Sequence, residues 1–345
     1  MEGNIFQVIW FILWGVLWAV YLMLDGFVLG MGFLSGVLAK NDTEKRVLIN
    51  TVGPVWDGNE VWLLTAGGAT FAAFPTTYAL MFSYLYTALL LLLFSLIVRG
   101  VSFEFRGKID SPTWKGAWDK AIIVSSFLPA LLLGVTFGNL FRGLPMDAAG
   151  YHGNLFSLLN PYGLVTGVLF VLAFAVHGSL YVAIKTTGDM SQRASALANK
   201  LWPALLVVAV VFLGYTYPAT KIYNNYLANP ILLVVPLVAV AALLMVRVFA
   251  GKGALGKAFT CSCLTIVFVA FTGVTGLFPN LIPSTLDPAY SLTIYNSSSS
   301  LLTLKIMTAV ALIMVPIVIA YKIWVYRIFR NKVTESDVLE NPQAY

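Results

Sequence analysis

Three carboxylates stand out because they lie in stretches of the chain that are otherwise apolar. Asp25 lies in the segment L-D-G-F-V-L-G-M-G, and Asp57 and Glu60 lie in G-P-V-W-D-G-N-E-V-W-L-L, residues 53–64. Asp57 and Glu60 are three residues apart, so on a helix they share a face. Two carboxylates on one face repel each other when both are ionised, which favours keeping a proton on one of them. This pattern is typical of a proton relay, whose groups exist in charged and neutral forms near neutral pH.

Each of these acids also has an interpretation that involves only helix packing. Asp25 lies among glycines at four-residue spacing, which let another helix approach closely, so one hydrogen bond to that helix would explain it. Those glycines are Gly26, Gly30, Gly32 and Gly36. Asp57 and Glu60 could both pair with Arg99 or another basic residue and only hold helices together. The residues alone leave both interpretations open.

The composition places these acids in a membrane protein. Of the 345 residues, 59% are hydrophobic and 10% are charged, whereas soluble domains have about 45–50% apolar and about 25% charged residues. So few charges cannot coat a soluble protein of this length, and so apolar a chain is not disordered. The net charge of +6 is not clustered as one basic patch, which argues against nucleic-acid binding.

Nine apolar stretches are long enough for a transmembrane helix, which needs about 20 apolar residues. They comprise residues 5–36, 49–72, 76–99, 120–141, 162–185, 201–219, 230–249, 259–279 and 301–329. We therefore predict an all-α integral membrane protein with a single transmembrane domain, residues 1–345, and no large soluble domain. The first stretch is too long for the core of a signal peptide, so we interpret it as an uncleaved span.

Lys and Arg residues predict the orientation, because cytoplasmic loops carry an excess of them. With nine spans, one side holds 18 of the 21 Lys and Arg residues, and the other side holds only Arg142, Lys221 and Lys305. We therefore expect the N-terminus outside and the C-terminus in the cytoplasm. The net charge is then an orientation signal rather than evidence for a polyanionic partner.

The chain has few residues that could bind a metal or a haem. Its two histidines are His152, in an outer loop, and His177, in the fifth apolar stretch. Haem iron in electron-transfer proteins is often held by two histidines, and one intramembrane histidine cannot hold several such haems. We favour a packing role for His177 over ligation of one haem. Cys261 and Cys263 are too few ligands for a zinc site, so we expect no metal site.

The segment G-P-V-W-D-G-N-E-V-W-L-L resembles the signature of subunit II of the cytochrome bd quinol oxidases. Four further blocks are similar to the same family. They are L-D-G-F-V-L-G-M-G around Asp25, A-F-P-T-T-Y-A-L at 73–80, R-G-V-S-F-E-F-R-G-K at 99–108 and S-L-T-I-Y-N-S-S-S-S-L-L-T-L-K-I-M at 291–307. The length and the short loops agree as well, so the resemblance covers essentially the whole chain.

The resemblance implies a respiratory complex that oxidises quinol, reduces O2 to water and takes the chemical protons from the cytoplasm. It implies two b haems and one d haem in a partner, subunit I, with no haem and no catalytic residue in this chain. A quinone can occupy a structural pocket in subunit II of some members. The implied fold is two four-helix bundles plus a ninth helix, in a bacterial or archaeal inner membrane among membrane lipids. Whether a small accessory subunit joins is left open.

The resemblance also assigns roles to individual residues. The family's acids on the proton path fall on Asp25 and Asp57, and we add Glu60 because it shares the second motif. Supporting motif positions fall on Gly53, Pro54, Trp56, Gly58, Asn59 and Trp62, and on Arg99, Glu104 and Arg106. An ordinary boundary cluster of snorkelling side chains is the other interpretation of the last three.

A proton-coupled secondary transporter that uses the same three acids is the alternative function. Transporters commonly contain internal repeats with broken helices. We find no convincing internal repeat in this sequence, which argues weakly against a transporter.

Overall fold

The structure is a computed structural model that describes residues 4–340. It is 82% helical, which confirms the all-α prediction in its coarse form. The described residues form thirteen α-helices: α1 Ile5–Leu38, α2 Asp42–Val52, α3 Trp56–Ala73, α4 Pro75–Tyr84, α5 Tyr86–Phe105, α6 Pro112–Arg142, α7 Pro161–Lys185, α8 Gly188–Ala219, α9 Tyr223–Ala228, α10 Val234–Gly251, α11 Leu255–Leu277, α12 Leu301–Ile328 and α13 Glu335–Glu340.

Short non-α elements occur only at the ends of these helices and in the loops of the described chain. Two antiparallel strand pairs join β1 (Met146–Asp147) to β2 (Gly150–Tyr151) and β3 (Asn280–Ile282) to β4 (Leu292–Thr293). Short 3-10 helices lie at Arg106–Lys108, Phe156–Leu159, Pro230–Leu233 and Pro288–Tyr290.

Eight helical segments between residues 4 and 340 are long and apolar enough to cross a membrane. They are Ile5–Leu38, Tyr86–Lys108, Pro112–Arg142, Pro161–Lys185, Gly188–Ala219, Pro230–Gly251, Leu255–Leu277 and Leu301–Ile328. The chain is therefore a multi-pass membrane protein. Helix α3 is not among them, because its 18 residues include Asp57, Asn59 and Glu60. The count of nine spans stays a prediction.

The second and third predicted spans have different boundaries in the structure. The stretch 49–72 crosses the break between α2 and α3 at residues 53–55, where Pro54 has no backbone N–H to continue a helix. The stretch 76–99 is divided at Leu85 between α4 and α5, and α5 continues to Phe105. Arg99, which was counted among the 18 basic residues of the cytoplasmic side, therefore lies inside a helix rather than in a loop.

Helix α1 lies at the centre of the fold and packs against α3, α6, α7 and α11. Its closest approach is to α7. A Cβ added at Gly30 would overlap the Phe174 carbonyl oxygen, and one added at Gly178 would lie 2.5 Å from the Met31 nitrogen. The glycines that follow Asp25 thus allow close helix packing, as the packing interpretation of this segment predicts.

Helix α3 runs antiparallel to α1, as two side-chain hydrogen bonds show. The Asn59 Nδ2 donates to the Leu24 carbonyl oxygen at 2.9 Å, and the Trp14 Nε1 donates to the Thr70 hydroxyl at 3.0 Å. The start of α3 therefore lies beside residue 24 and its end beside residue 14. This packing places Asp25 next to the first turns of α3.

Several basic segments meet at one end of the helix assembly. The Lys45 Nζ lies 2.7 Å from Asp119, and the Arg193 guanidinium lies 2.7 Å from Glu44. These ion pairs join α2 to α6 and α8, the helices that come next in the chain after α1, α5 and α7. The structure thus brings together basic segments that the orientation argument assigned to one side.

Candidate functional site

Arg99 lies between two of the three predicted acids. Its Nη2 is 3.0 Å from both Asp25 carboxylate oxygens, and it also pairs with the Glu60 carboxylate. Asp25 and Arg99 are completely buried, whereas the Glu60 side chain keeps 23% exposure. The three residues come from α1, α5 and α3, so the cluster ties these helices together. Pairing with Arg99 was the packing interpretation of Asp57 and Glu60, and the structure shows it for Glu60 and also for Asp25.

The Asp25–Arg99–Glu60 cluster has more hydrogen-bonding capacity than it uses. The Arg99 Nε and Nη1 atoms are buried and have no hydrogen-bond partner within the described residues. Two carboxylates and one guanidinium leave one formal negative charge when all three are ionised. One proton on either carboxylate neutralises the cluster, so these residues can hold a proton at two neighbouring positions. Packing and proton transfer are therefore compatible in this site.

Asp57 lies one turn before Glu60 but points elsewhere. Its side chain is exposed, and its Oδ1 accepts a hydrogen bond from the Gly58 N–H at 2.5 Å. Lys322 of α12 covers Gly58 so closely that an added Cβ there would overlap its Nζ. The structure thus separates the two acids of the motif: Glu60 binds Arg99, and Asp57 lies at the outer surface of α3.

Asn59 connects the motif to two other helices. It is completely buried, and its Oδ1 accepts a hydrogen bond from the Tyr326 hydroxyl of α12 at 3.0 Å. Its Nδ2 donates to the Leu24 carbonyl oxygen, next to Asp25. The sequence gives no signal for Tyr326, because 267 residues separate it from Asn59 and no local spacing relates the two.

Tyr21 is a second residue of the site that the sequence analysis missed. It is completely buried one turn before Asp25 and interacts electrostatically with Asp25 and Arg99. Here the sequence did contain a signal: a tyrosine four residues before an intramembrane acid lies on the same helix face.

The remaining motif residues shape or support the surroundings of the site. Gly53 and Pro54 lie in the break before α3, the Trp56 ring lies 5.6 Å from the Phe103 ring, and Trp62 is buried in the core.

The structure of residues 99–108 differs from the interpretation of Arg99, Glu104 and Arg106 as a cluster of snorkelling side chains at the membrane boundary. Glu104 is exposed on α5. Arg106 is buried and binds Asp42 and Asp119, each at 2.6 Å. Arg106 therefore joins α2 to α6 at the basic end of the molecule and is not part of the Asp25–Arg99–Glu60 cluster.

His177 is held by hydrogen bonds within the chain. Its Nδ1 lies 2.6 Å from the Ser262 hydroxyl, its Nε2 lies 3.0 Å from the Met23 carbonyl oxygen, and its ring stacks on Phe259 at 4.7 Å. Both ring nitrogens are thus engaged, which supports a packing role over haem ligation. Across residues 4–340, no group of three His, Cys, Asp or Glu residues is arranged to hold a metal ion.

Comparison with known proteins identifies the family of this chain. Residues 6–329 match the family model described as cytochrome bd terminal oxidase subunit II. The cytochrome bd-I ubiquinol oxidase subunit 2 of Escherichia coli K12 is 37% identical, and the alignment covers 100% of this chain and 99% of that protein. The cytochrome bd ubiquinol oxidase subunit 2 of Bacillus subtilis is also 37% identical, over 95% of this chain and 97% of that protein.

The fold agrees with these sequence matches. A chain of the bd oxidase from Geobacillus thermodenitrificans superposes with a TM-score of 0.76 and 17% identity, over 95% of this chain and 100% of that chain. The matches confirm the resemblance found in the sequence and give no support to the transporter alternative. The chain therefore belongs to the cytochrome bd terminal oxidase subunit II family, as the subunit of a membrane quinol oxidase that works beside a haem-bearing subunit I.

Proposed function

We propose that this chain carries protons from the cytoplasm toward subunit I, where O2 is reduced to water. The observation that carries the proposal is the Asp25–Arg99–Glu60 cluster, with Asp57 one turn away on the surface of α3. Ionisable residues inside a membrane are expensive, and they mark proton relays in pumps and transporters. One cation shared by two carboxylates gives the path a site that gains and releases one proton.

The exposure of Asp57 supports a transfer of protons to the partner subunit. A charged side chain that faces lipid costs about 2.5–3.5 kcal/mol or more, so protein is a better cover for this surface than lipid. Exposed apolar side chains on α3 and α5 accompany Asp57; they include Val61, Leu64, Leu93, Phe94 and Ile97. We infer that subunit I covers this surface and that Asp57 lies at the boundary between the subunits.

We also propose that α3 crosses the membrane, which brings the number of spans from eight to nine. Its 18 residues extend about 27 Å at about 1.5 Å per residue, and it runs antiparallel to α1 over most of that length. Nine crossings place the basic segments in the cytoplasm, the N-terminus outside and the C-terminus in the cytoplasm.

The proposed bundles follow the helix contacts. Helices α7, α8, α10 and α11 pack in a ring, which forms one four-helix bundle. Helices α1, α3, α5 and α6 form the other, through the contacts of α1 with α3 and α6 and of α6 with α5. Helix α12 is the additional helix.

For the cofactors, we propose that two b haems and one d haem lie in subunit I and that this chain binds none of them. A structural quinone has a candidate place in a cavity of about 630 Å³ between α1, α3 and α12. Apolar side chains of α1 and α12, with a smaller share from α3, form most of its wall, and Lys322, Arg327 and Arg330 also line it. Membrane lipids and a small accessory subunit are candidate neighbours of the exposed apolar surfaces of α8 and α10.

The substitution Asp57→Asn tests the proton path. It keeps the size of the side chain and removes its ability to carry a charge. We expect the purified complex to lose about tenfold or more in quinol-oxidase turnover, since positioned proton-transfer groups contribute about 10²–10⁴-fold. Turnover is measured as O2 consumption per haem, and haem content reports assembly. Asp110→Asn is the control, because Asp110 is 99% exposed and lies outside the proposed path.

Full turnover of the Asp57→Asn complex would show that Asp57 is not on the path. A complex that lacks haem or subunit I would instead show that Asp57 holds the subunits together. The Asp57→Glu complex, which keeps a carboxylate, should retain more turnover than the Asp57→Asn complex.

A further inference from the structure

A cavity of about 550 Å³ lies at the basic end of the molecule, between α1, α2, α7, α11 and the chain that follows α12. Polar and charged residues line its outer part: Asn50, Thr51, Lys185, Arg330, Asn331, Lys332 and Asp337. Its inner part reaches Met23, Leu24 and Tyr326. The cavity thus extends from the charged surface to the residues that adjoin Asp25 and Asn59.

The chain after α12 forms the roof of this cavity, and we call residues 329–340 the strap. The Lys185 Nζ donates hydrogen bonds to the carbonyl oxygens of Phe329 at 2.5 Å and Asn331 at 2.7 Å. The Val333 N–H donates to the Lys185 carbonyl oxygen at 2.8 Å. Farther along, Val338 is buried in a cluster that includes residues of α2. These contacts hold the strap in place, while Lys332 and Asp337 are exposed at the rim.

The volume and lining of the cavity favour water as its content. A water molecule occupies about 30 Å³ in the liquid, and buried waters need polar partners. The cavity therefore has room for on the order of ten waters, and its outer wall offers donors and acceptors. Tyr326 is part of its largely apolar inner wall.

Tyr326 connects this cavity to Asn59, whose amide binds the Leu24 carbonyl oxygen next to Asp25. Its hydroxyl donates to Asn59, which leaves the oxygen lone pairs free to accept a proton from cavity water. It also interacts electrostatically with Asp25. The other ionisable groups that line the cavity are Tyr181 and Lys185 of α7, Cys263 of α11, and the strap residues Arg330, Lys332 and Asp337.

We propose that this cavity is the water-filled entry for protons on this chain and that Tyr326 passes them toward Asp25. The proposal rests on the proposed function, because it supplies the cytoplasmic end of that path. In each transfer, a cavity water gives a proton to the Tyr326 oxygen and regains one from the cytoplasm, and the phenolic proton leaves toward the Asp25 carboxylate, which accepts it. The phenol is unchanged after the step, so no other reactant is needed. Asn59 orients the hydroxyl between transfers.

The substitution Tyr326→Phe in the whole complex tests the relay. It keeps the ring and removes only the hydroxyl, so we expect severalfold lower turnover and a larger solvent isotope effect on O2 consumption in D2O than in the parent complex. Tyr321→Phe is the matched control, because Tyr321 lies on the same helix and is 57% exposed. Unchanged turnover and an unchanged isotope effect in Tyr326→Phe would overturn the relay.

The native thiol of Cys263 tests the water in the cavity independently of turnover. This thiol lines the cavity, and Cys261→Ser leaves it as the single cysteine of the chain, which has two. We expect a small cationic methanethiosulfonate reagent to modify Cys263 from the cytoplasmic face of membrane vesicles and not from the other face. Mass spectrometry of this chain reports the modification. A thiol that stays unmodified from the cytoplasmic face would overturn the water-filled entry.

Comparison with Asp57→Asn separates this proposal from the proposed function. If Asp57→Asn lowers turnover and Tyr326→Phe does not, the path stands and the entry through Tyr326 is wrong. If Tyr326→Phe lowers turnover and Asp57→Asn does not, the entry stands and Asp57 is not part of the path.

Discussion

Arg99 allows two acids to lie inside the helix assembly, because its positive charge compensates theirs. Its guanidinium binds Asp25 and Glu60 at once, and it is completely buried. A planar guanidinium suits this role because it presents several donors in a fixed arrangement, whereas a lysine offers a compact point charge. Replacing such a partner leaves an uncompensated charge, which is more harmful than removing the whole ion pair.

Arg99→Gln should destabilise the purified complex by about 3–5 kcal/mol, the usual cost of breaking a buried ion pair. The double substitution Arg99→Gln with Asp25→Asn should recover part of the loss, because it removes one of the unpaired carboxylates. Thermal unfolding of the detergent-solubilised complexes measures the difference. A double variant that is less stable than Arg99→Gln alone would contradict the electrostatic explanation.

Glu44 makes the stability of the basic end depend on pH. Burial alone would raise the pKa of Glu44, but the Lys40 backbone N–H and the Arg193 guanidinium outweigh burial and hold this pKa below its usual value of 4.5. A lowered pKa in the folded state contributes stability above the unfolded pKa, and that stability is lost as the pH falls through the folded pKa. The contribution of Glu44 should thus be complete at pH 7, decrease as the pH falls below the ordinary value of 4.5, and be lost once the pH is below the lowered folded pKa.

The variant Glu44→Gln tests this pH dependence. It should unfold at a lower temperature than the parent complex at pH 7, and the gap should shrink as the pH falls from 5 to 3. Glu335→Gln, at an exposed position of α13, is the control and should follow the parent. A gap that is the same at every pH would mean that the charge of Glu44 does not contribute.

At the scale of elements, the crossing of α1 and α7 fixes the position of Asp25. Gly30→Ala should prevent this crossing, because the added methyl group would overlap the backbone at Phe174 and the packed helices cannot both shift without strain. We expect little assembled complex, measured as haem recovered after purification. Gly214→Ala in α8 is the control, since nothing lies within 4 Å of a Cβ there. Normal recovery of Gly30→Ala would show that the helices separate easily.

The helix boundaries show which elements the sequence could predict. The long apolar stretches predicted α6, α7, α10, α11 and α12 and the second half of α8, because hydrophobic length reports a membrane helix directly. The first stretches after α1 were harder. Pro54 divides one apolar stretch into α2 and α3, and the break at Leu85 divides another into α4 and α5. Such breaks depend on local backbone geometry, to which a hydrophobicity pattern is insensitive.

At the scale of the whole molecule, the orientation remains a prediction with a direct test. Lys115 lies in the basic end, where it pairs with Asp110 and Asp42, and Arg142 lies at the opposite end of α6. Lys115→Cys should react with a membrane-impermeant thiol reagent only from the cytoplasmic face, and Arg142→Cys only from the outer face. Labelling of Lys115→Cys from outside would reverse the topology.

The sequence by itself determined that this is a multi-span membrane protein, and its motifs identified the family and marked Asp25, Asp57 and Glu60. Composition and short motifs are local properties, so no folded structure was needed to read them. Only the tertiary structure showed that Arg99 joins Asp25 to Glu60, that Asp57 faces outwards, and that Tyr326 meets Asn59. These partners lie 74, 39 and 267 residues apart along the chain. Contacts at such separations are set by how helices pack, because no residue spacing within one helix encodes which distant helix lies beside it.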